Sequence, residues 1–338
     1  MTQDTDLLKT LYPIGLLDGR DWRVGSMGMP LHGPSAQYAI TLFEGLIGYP
    51  VGGGIGIVAL REHFQRLLDG ALKSGLGFDR DPGAVERLVW DGMEALPQLL
   101  RTNRVSGTVY IRPTLYHQGT GNVCLGPALE GGIHLGIYLQ KWDGYLSAKP
   151  EGVRVIVSDF VKASSPVAHL KCSANYGLAI PAKREARLKG FDEVLFRDEL
   201  GMLAEASSQN VVVDFGDEAS ELSTPLAEYR AADATRNAPV LPGITLRILR
   251  ETIAPDLGFE IREDVIDPRM AFDPRRRLGG IALCGTASEV RHVGSLRWAG
   301  EDAHAFERPS PRIQALMDGY AKLTRGEAYR EWLTVIPL

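Results

Sequence analysis

His169-Leu170-Lys171-Cys172-Ser173-Ala174-Asn175-Tyr176 sets a single lysine at the mouth of a predicted helix, and the second half of the chain is read outward from it. Upstream, Val153 to Ser158 is a β-branched run that predicts a strand. Downstream, residues 174–189 read as a helix despite Pro181 and stop at Gly190, a good capping residue. Two short strands (193–197 and 202–206) flank the turn Asp198-Glu199-Leu200-Gly201, and Asn210 to Phe215 makes a third. Gly243 opens a helix reaching residue 254, and 279–284 is a very apolar strand. Ile313, Leu316, Met317 and Tyr320 fall at helical spacing within Pro311 to Leu323.

The first half mixes the same elements. Residues 39–60 read as two strands joined at Gly52-Gly53-Gly54. Phe64, Leu67, Leu68, Ala71, Leu72 and Leu76 then recur as one stripe of a helix from Arg61 to Leu76, and a second helix covers Ala84 to Leu96. Val105 to Tyr116 is a strand whose period of two sends Tyr110, Arg112 and Tyr116 to one face, and Val109, Ile111 and Leu115 to the other. Ile133 to Leu139 is another strand. Trp142 to Gly152 carries Gly, Pro and Lys without periodicity, which suggests an interdomain linker. The division expected is a small α/β domain over 1–145, a linker over 146–152 and a larger domain over 153–338.

The totals narrow the function classes. A chain of 338 residues suits two domains, and a formal net charge of −5 argues against general nucleic-acid binding, which needs a basic face. Three widely spaced cysteines (Cys124, Cys172, Cys284) show no disulfide framework, and no apolar stretch is long enough to span a bilayer, so a soluble cytoplasmic protein is expected. The sequence contains no GxxxxGK[ST], no GxGxxG opening a helix, no HExxH and no GxSxG. The seven histidines do not pair at metal-ligand spacing, so no metal is expected.

What remains is a set of residues weak singly. A lysine amine becomes a nucleophile toward carbonyls when its surroundings lower its pKa, although a lone lysine usually reads as a solvated one. Glu205 stands on an otherwise apolar strand, where a carboxylate needs a partner: a cofactor's pyridinium nitrogen, or a structural salt bridge. Leu241-Pro242-Gly243-Ile244-Thr245 offers free amides and a hydroxyl at a helix start, which suits phosphate or an ordinary cap. Gly285-Thr286-Ala287 is a second such turn. Arg66 lies off its helix's apolar stripe, as either a solvated arginine or a phosphate clamp would. Arg112 with Tyr110 on one strand face could bind a carboxylate or form a cross-strand pair.

Taken in order, several stretches resemble the branched-chain aminotransferase family, class IV aminotransferases of pyridoxal-phosphate (PLP) fold type IV. They are Leu42-Phe43-Glu44-Gly45-Leu46, Glu62-His63 to Arg66-Leu67, Tyr110-Ile111-Arg112-Pro113, and Lys171 with Asn175-Tyr176. Gly201 to Glu205 with Asn210, Thr224-Pro225, Leu241 to Thr245 and Cys284-Gly285-Thr286-Ala287 complete the set. The resemblance implies a two-domain α/β fold with a pseudo-barrel in the larger C-terminal domain. It also implies Lys171 as Schiff-base lysine and proton shuttle, Glu205 on the pyridine nitrogen and Tyr176 on the phenolic oxygen. Arg66, Gly243, Ile244, Thr245 and Thr286 would hold the phosphate. Tyr38, Phe43, Tyr110, Arg112, Tyr145, Thr286 and Ala287 would line the substrate side.

The reaction implied moves an amino group between an L-amino acid, branched-chain or hydrophobic, and a 2-oxo acid, in a homodimer or larger assembly. Alternatives on the same machinery are a D-amino-acid or (R)-amine transaminase and an aminodeoxychorismate-lyase-like enzyme; a scaffold without chemistry is the reading from another class. Against the D-amino-acid branch, Arg112 is followed by Pro113-Thr114 and not by the Arg-x-His carboxylate trap. Ile47, Gln37, Ala206-Ser207-Ser208-Gln209, Leu246 and the segment Tyr116 to Gly126 depart from the family's usual residues, which points to a specialised substrate.

Overall fold

The computed structural model describes residues 10–26, 28–29, 31, 33–75, 82–117, 132–144, 146, 151–216, 221–230, 235–272, 278–298 and 303–338. They form two compact units. One holds the described residues up to Asp143 together with Leu170–Ala174 and Leu323–Leu338; the other holds Gly144–His169 and Asn175–Lys322.

The first unit is built on an antiparallel sheet of eight strands. Its members are β1 (Ile14–Leu17), β2 (Arg20–Arg23), β3 (Thr41–Phe43), β4 (Leu46–Val51), β5 (Gly54–Val58), β6 (Val109–His117), β7 (Ile133–Lys141) and the C-terminal strand Leu333–Pro337. The C-terminal strand lies along β5, so the last residues of the sequence complete the sheet near its beginning. The helix Leu60–Ser74 lays Phe64, Leu67, Leu68 and Ala71 on Leu42, Leu46, Ile55, Ile57 and Ile111, the phenylalanine and each leucine contributing roughly 1.5–3 kcal/mol by leaving water. Leu72, expected in that stripe, stays exposed, and Leu76 lies outside the described residues. The second helix ends at Glu94, and a separate helix, Leu96–Thr102, follows with Pro97 in its first turn. Along β6 the alternation is as expected, with Val109, Ile111 and Leu115 in the core and Arg112 and Tyr116 half-buried on the opposite face.

The second unit is a nine-stranded mixed sheet. It comprises β8 (Val153–Lys162), β9 (Glu193–Asp198), β10 (Leu203–Ala206), β11 (Asn210–Asp214), β12 (Glu221–Pro225), β15 (Glu260–Asp264), β16 (Gly280–Gly285), β17 (Glu289–Arg297) and β18 (His304–Ala305). The short β13 (Glu228–Arg230) and β14 (Thr235–Asn237) pair separately. The order is β10-β9-β8-β17-β16-β11-β12-β15, with β18 on β17. The two ends of that order meet, because the Leu203 N–H in β10 donates to the Ile266 carbonyl just past β15 at 2.7 Å. Closure surrounds Val155, Val157, Leu195, Val211, Val213, Leu283 and Val293 with strands, which is the interior of a pseudo-barrel.

The helix expected over 174–189 is two pieces, a 3₁₀ turn at Ser173–Tyr176 and an α-helix at Ala179–Leu188 that keeps Pro181 in its first turn. The helix after Gly243 is α over Ile244–Ile248, widens to a π turn over Leu249–Ile253, and ends as α at Ala254–Asp256.

Candidate active site

In the first unit the dipeptide Phe43-Glu44 organises the charged groups. Its backbone is pinned twice: the Phe43 N–H donates to the Lys171 carbonyl at 3.1 Å, and the Glu44 N–H donates to the Pro113 carbonyl at 2.9 Å. Lys171 Nζ stands 5.1 Å from the centre of the Phe43 ring, and the Arg112 guanidinium lies 4.6 Å from the same ring. Arg112 Nη2 donates to the Tyr110 hydroxyl at 2.6 Å, while its buried Nε has no hydrogen-bond partner among the described residues. The Tyr110 hydroxyl in turn stands over Gly45, where a Cβ would sit 2.1 Å from it, so any other residue there would have to displace the buried tyrosine. Tyr38, half-buried, follows the short helix Pro34–Gln37. Tyr145 lies outside the described residues, as do residues 118–126 of the departing segment.

Glu44 points to another group. Its carboxylate is wholly buried and accepts from Arg66 Nε at 2.6 Å and Nη2 at 2.9 Å, a bidentate fork, and its Oε2 pairs with His63 Nδ1 at 2.7 Å. Burial alone would raise the Glu44 pKa, but the Arg66 guanidinium and the His63 ring outweigh it and hold the carboxyl well below the usual carboxylate range. Burial lowers the His63 pKa, helped by Arg66 and Lys171 and only partly countered by Glu44, so the ring is neutral at pH 7 and its Nδ1–H donates to the acceptor-only carboxylate.

In the second unit the pieces gather at one end of the sheet. Asn210 opens β11 opposite Cys284, so Gln209 lies beside Gly285 and the β16–β17 turn Thr286-Ala287-Ser288. Glu205 on β10 pairs with Lys162 of β8, and its Oε2 accepts from the Leu241 N–H at 2.9 Å. Asn210 Nδ2 donates to the Leu241 carbonyl at 2.8 Å. Leu241 is thereby held from both sides, and Gly243 follows where a Cβ would meet Asn210 Oδ1 at 1.8 Å. Gly243 caps the helix with no side-chain cap bond. The buried Thr245 hydroxyl bonds Tyr320. Gln209 Oε1 accepts from the Ser208 N–H at 3.3 Å, and its buried Nε2 has no partner among the described residues. Tyr176 ends the 3₁₀ turn, half-buried.

The structure puts Phe43, Tyr110, Arg112 and Lys171 in one unit and Glu205, Gly243, Ile244, Thr245, Thr286 and Ala287 in the other, whereas the sequence sets Lys171 in the larger domain over 153–338 with Glu205. The sequence assigned no part to Glu44, His63, Lys162, Gln209 or Tyr320. The signal for Glu44 and His63 was present in the stretches that matched the family, as charged or titratable residues inside apolar patterns. Of the departures, Ile47 and Leu246 are buried, and Gln37 is exposed and donates to the Leu31 carbonyl at 2.5 Å. Among the described residues no helix is long and apolar enough to cross a membrane.

The amino-transferase class IV family pattern matches residues 41–296. The branched-chain-amino-acid aminotransferase of Escherichia coli K12 is 27% identical over 321 residues, covering 92% of this chain and 91% of that protein. Among solved structures, the branched-chain aminotransferase of Thermoproteus uzoniensis with norvaline superposes with a TM-score of 0.80 at 25% identity, over 96% of this chain and 99% of that one. The branched-chain amino acid aminotransferase of Thermobaculum terrenum in its PLP holo-form gives 0.76 at 23% identity, over 97% and 100%, a likeness of fold.

Proposed function

The chain belongs to the class IV aminotransferases, and from that premise we propose that it transfers an amino group between a branched-chain or hydrophobic L-amino acid and a 2-oxo acid, with Lys171 carrying PLP covalently. The observation that supports this most directly is the Phe43 platform, on which the Lys171 amine and the Arg112 guanidinium share one aromatic ring. An α-amino acid has an amine to exchange and a carboxylate to hold. Arg112, with an unpartnered buried Nε and a tyrosine hydroxyl at its side, has the donors for a carboxylate.

The donor set also fits the cofactor. Arg66, the helix-start amides at Ile244 and Thr245, and the Thr286 turn are groups that bind phosphate. Gln209 Nε2 is a buried donor beside that turn, and leaving such a donor without an acceptor costs about 1–3 kcal/mol. When bound, PLP supplies the electron sink on which the α-proton becomes acidic. Glu205 would hold the ring nitrogen's proton, sharing its carboxylate with Lys162 and the Leu241 amide. Tyr176 would donate to the phenolic oxygen. Lys171 would take the α-proton from the donor and return it at the cofactor carbon, which one amine does only from one side of the ring. Tyr38, Phe43 and Tyr110 would bound the side-chain space. A homodimer or larger homo-oligomer in the cytoplasm completes the reading, and light scattering on the purified protein tests the assembly.

The test is the visible spectrum of the purified protein, followed by a panel of L- and D-amino acids and amines. A PLP band that is absent in Lys171→Ala and bleaches with L-leucine, L-isoleucine or L-valine is the expected result. Bleaching only with D-amino acids or amines would move the substrate class. A protein that cannot be loaded with PLP would overturn the reading.

A further inference from the structure

Phe43 and Glu44 are consecutive, yet they serve different groups. Phe43 faces Lys171 and Arg112; Glu44 takes Arg66 and His63. Both backbone amides are tied down, by Lys171 and Pro113, so the Glu44 carboxylate starts from a fixed base. It then engages Arg66 through two parallel bonds, Nε and Nη2, which fix the plane of the guanidinium as well as its position. His63 bonds the same carboxylate from the preceding turn of the helix that carries Arg66, and its neutral ring adds no charge. All three groups stand in the first unit, and the carboxylate is sealed from solvent.

We propose that Glu44 is a positioning residue for the cofactor phosphate: it touches no reactant, but its fork to Arg66 and its bond to His63 set the orientation in which Arg66 meets the phosphate. The proposal rests on Arg66 being a phosphate ligand. It also accounts for an acidic residue beside an anion site, where a carboxylate would otherwise repel the phosphate: both its oxygens are turned to Arg66, and His63 shares one. Removing Glu44 frees the long arginine side chain to rotate, and that lost preorganisation is paid again on binding.

The test uses full-length protein stripped of cofactor and titrated with either PLP or pyridoxal, which lacks the phosphate. Dissociation constants and thermal unfolding are recorded for the parent, Glu44→Gln, Arg66→Gln and the double variant. Glu44→Gln, near-isosteric, is expected to raise the PLP dissociation constant about 10–100-fold, the range typical of residues that orient a ligand's direct partners. Pyridoxal binding should stay within a factor of two or so of the parent. The double variant should bind PLP no more weakly than Arg66→Gln, because Glu44 acts only through Arg66. If Glu44→Gln weakens PLP and pyridoxal equally, or adds its full loss to that of Arg66→Gln, the positioning role is overturned. If Arg66→Gln itself leaves the preference for PLP over pyridoxal unchanged, the reading of Arg66 is what fails. Should Glu44→Gln not fold, Arg66→Lys keeps the charge but cannot make the fork; it should lose PLP affinity selectively, and full PLP affinity there would overturn the proposal.

Discussion

Two buried carboxylates, one in each unit, are satisfied in different ways. Glu44 is gripped by a planar guanidinium through two parallel bonds and by an imidazole. Glu205 has a single ammonium, Lys162, and one backbone amide. A guanidinium fork fixes direction, whereas an ammonium on a four-carbon stem is a point charge that swivels. The first arrangement suits a permanent fixture. The second suits a carboxylate that must accept a further partner, as a ring nitrogen would be, without dismantling its surroundings.

The contrast is broken most severely by truncation. Glu44→Ala empties a fully sealed position and leaves half-buried Arg66 without its counter-charge, and is expected to cost about 3–5 kcal/mol of stability. Glu205→Ala removes a carboxylate that already reaches solvent, its side chain 11% exposed against 0% for Glu44, and should cost about 1–3 kcal/mol. Chemical denaturation of the two variants measures both; equal losses would erase the distinction.

Activity should rank the pair in the opposite direction. Glu205→Gln keeps the shape but cannot hold the ring nitrogen's proton, and kcat is expected to fall about 100-fold, or about 2.7 kcal/mol, with little change in melting temperature. Steady-state kinetics beside a melting curve checks this.

A smaller effect follows from pH. The His63 pKa is depressed in the folded protein, so as pH falls below 6.5 the unfolded chain takes up a proton that the folded ring refuses, and stability drops. Glu44 is depressed too, so its contribution is full above its unfolded value of 4.5 and is lost as pH falls further. Melting temperature should therefore be flat from pH 8 to about 7 and decline below, with His63→Gln removing the upper part of the decline and Glu44→Gln the lower part. The smallest effect is a null one: Cys284, wholly buried with its thiol pushed up to about 12, should not react with a thiol reagent until the protein unfolds, and thiol titration with and without denaturant measures it.

The legible parts of the molecule were those with strong local patterns. β6 alternates in burial from Ile111 to His117, and the bond from Arg112 to the Tyr110 hydroxyl sets both on the face away from Ile111, as the period of two predicts. Strands with weak patterns were missed. β15 reads Glu-Ile-Arg-Glu-Asp with one buried residue, and the C-terminal strand has one buried residue and ends in Pro337, so both look like loop until a partner strand supplies the pairing. The partners of the charged residues were hidden for a related reason. Lys162 is 43 residues from Glu205 and joins the sheet only because β8 resumes pairing with β9 after an irregularity. The pairing of Glu44 with Arg66 depends on how the Phe43-Glu44 backbone meets the Leu60–Ser74 helix, which no periodicity encodes. The departures at Ile47 and Leu246 were visible as letters; that both side chains are buried became visible only in three dimensions.

The pairing of Leu333–Pro337 with β5 also orders events during synthesis. Gly54–Val58 leaves the ribosome early, but one edge of it waits for a strand made some 275 residues later, and Leu170–Ala174 is also needed. Every residue of the second unit, through Lys322, has been made before that strand exists. The unit that begins first therefore closes last, and until then β5 presents an unpaired, apolar edge. Newly made chains are most open to edge-to-edge association before Leu333–Pro337 has been made, and a chain cut ahead of Leu333 would keep that edge of β5 unpaired.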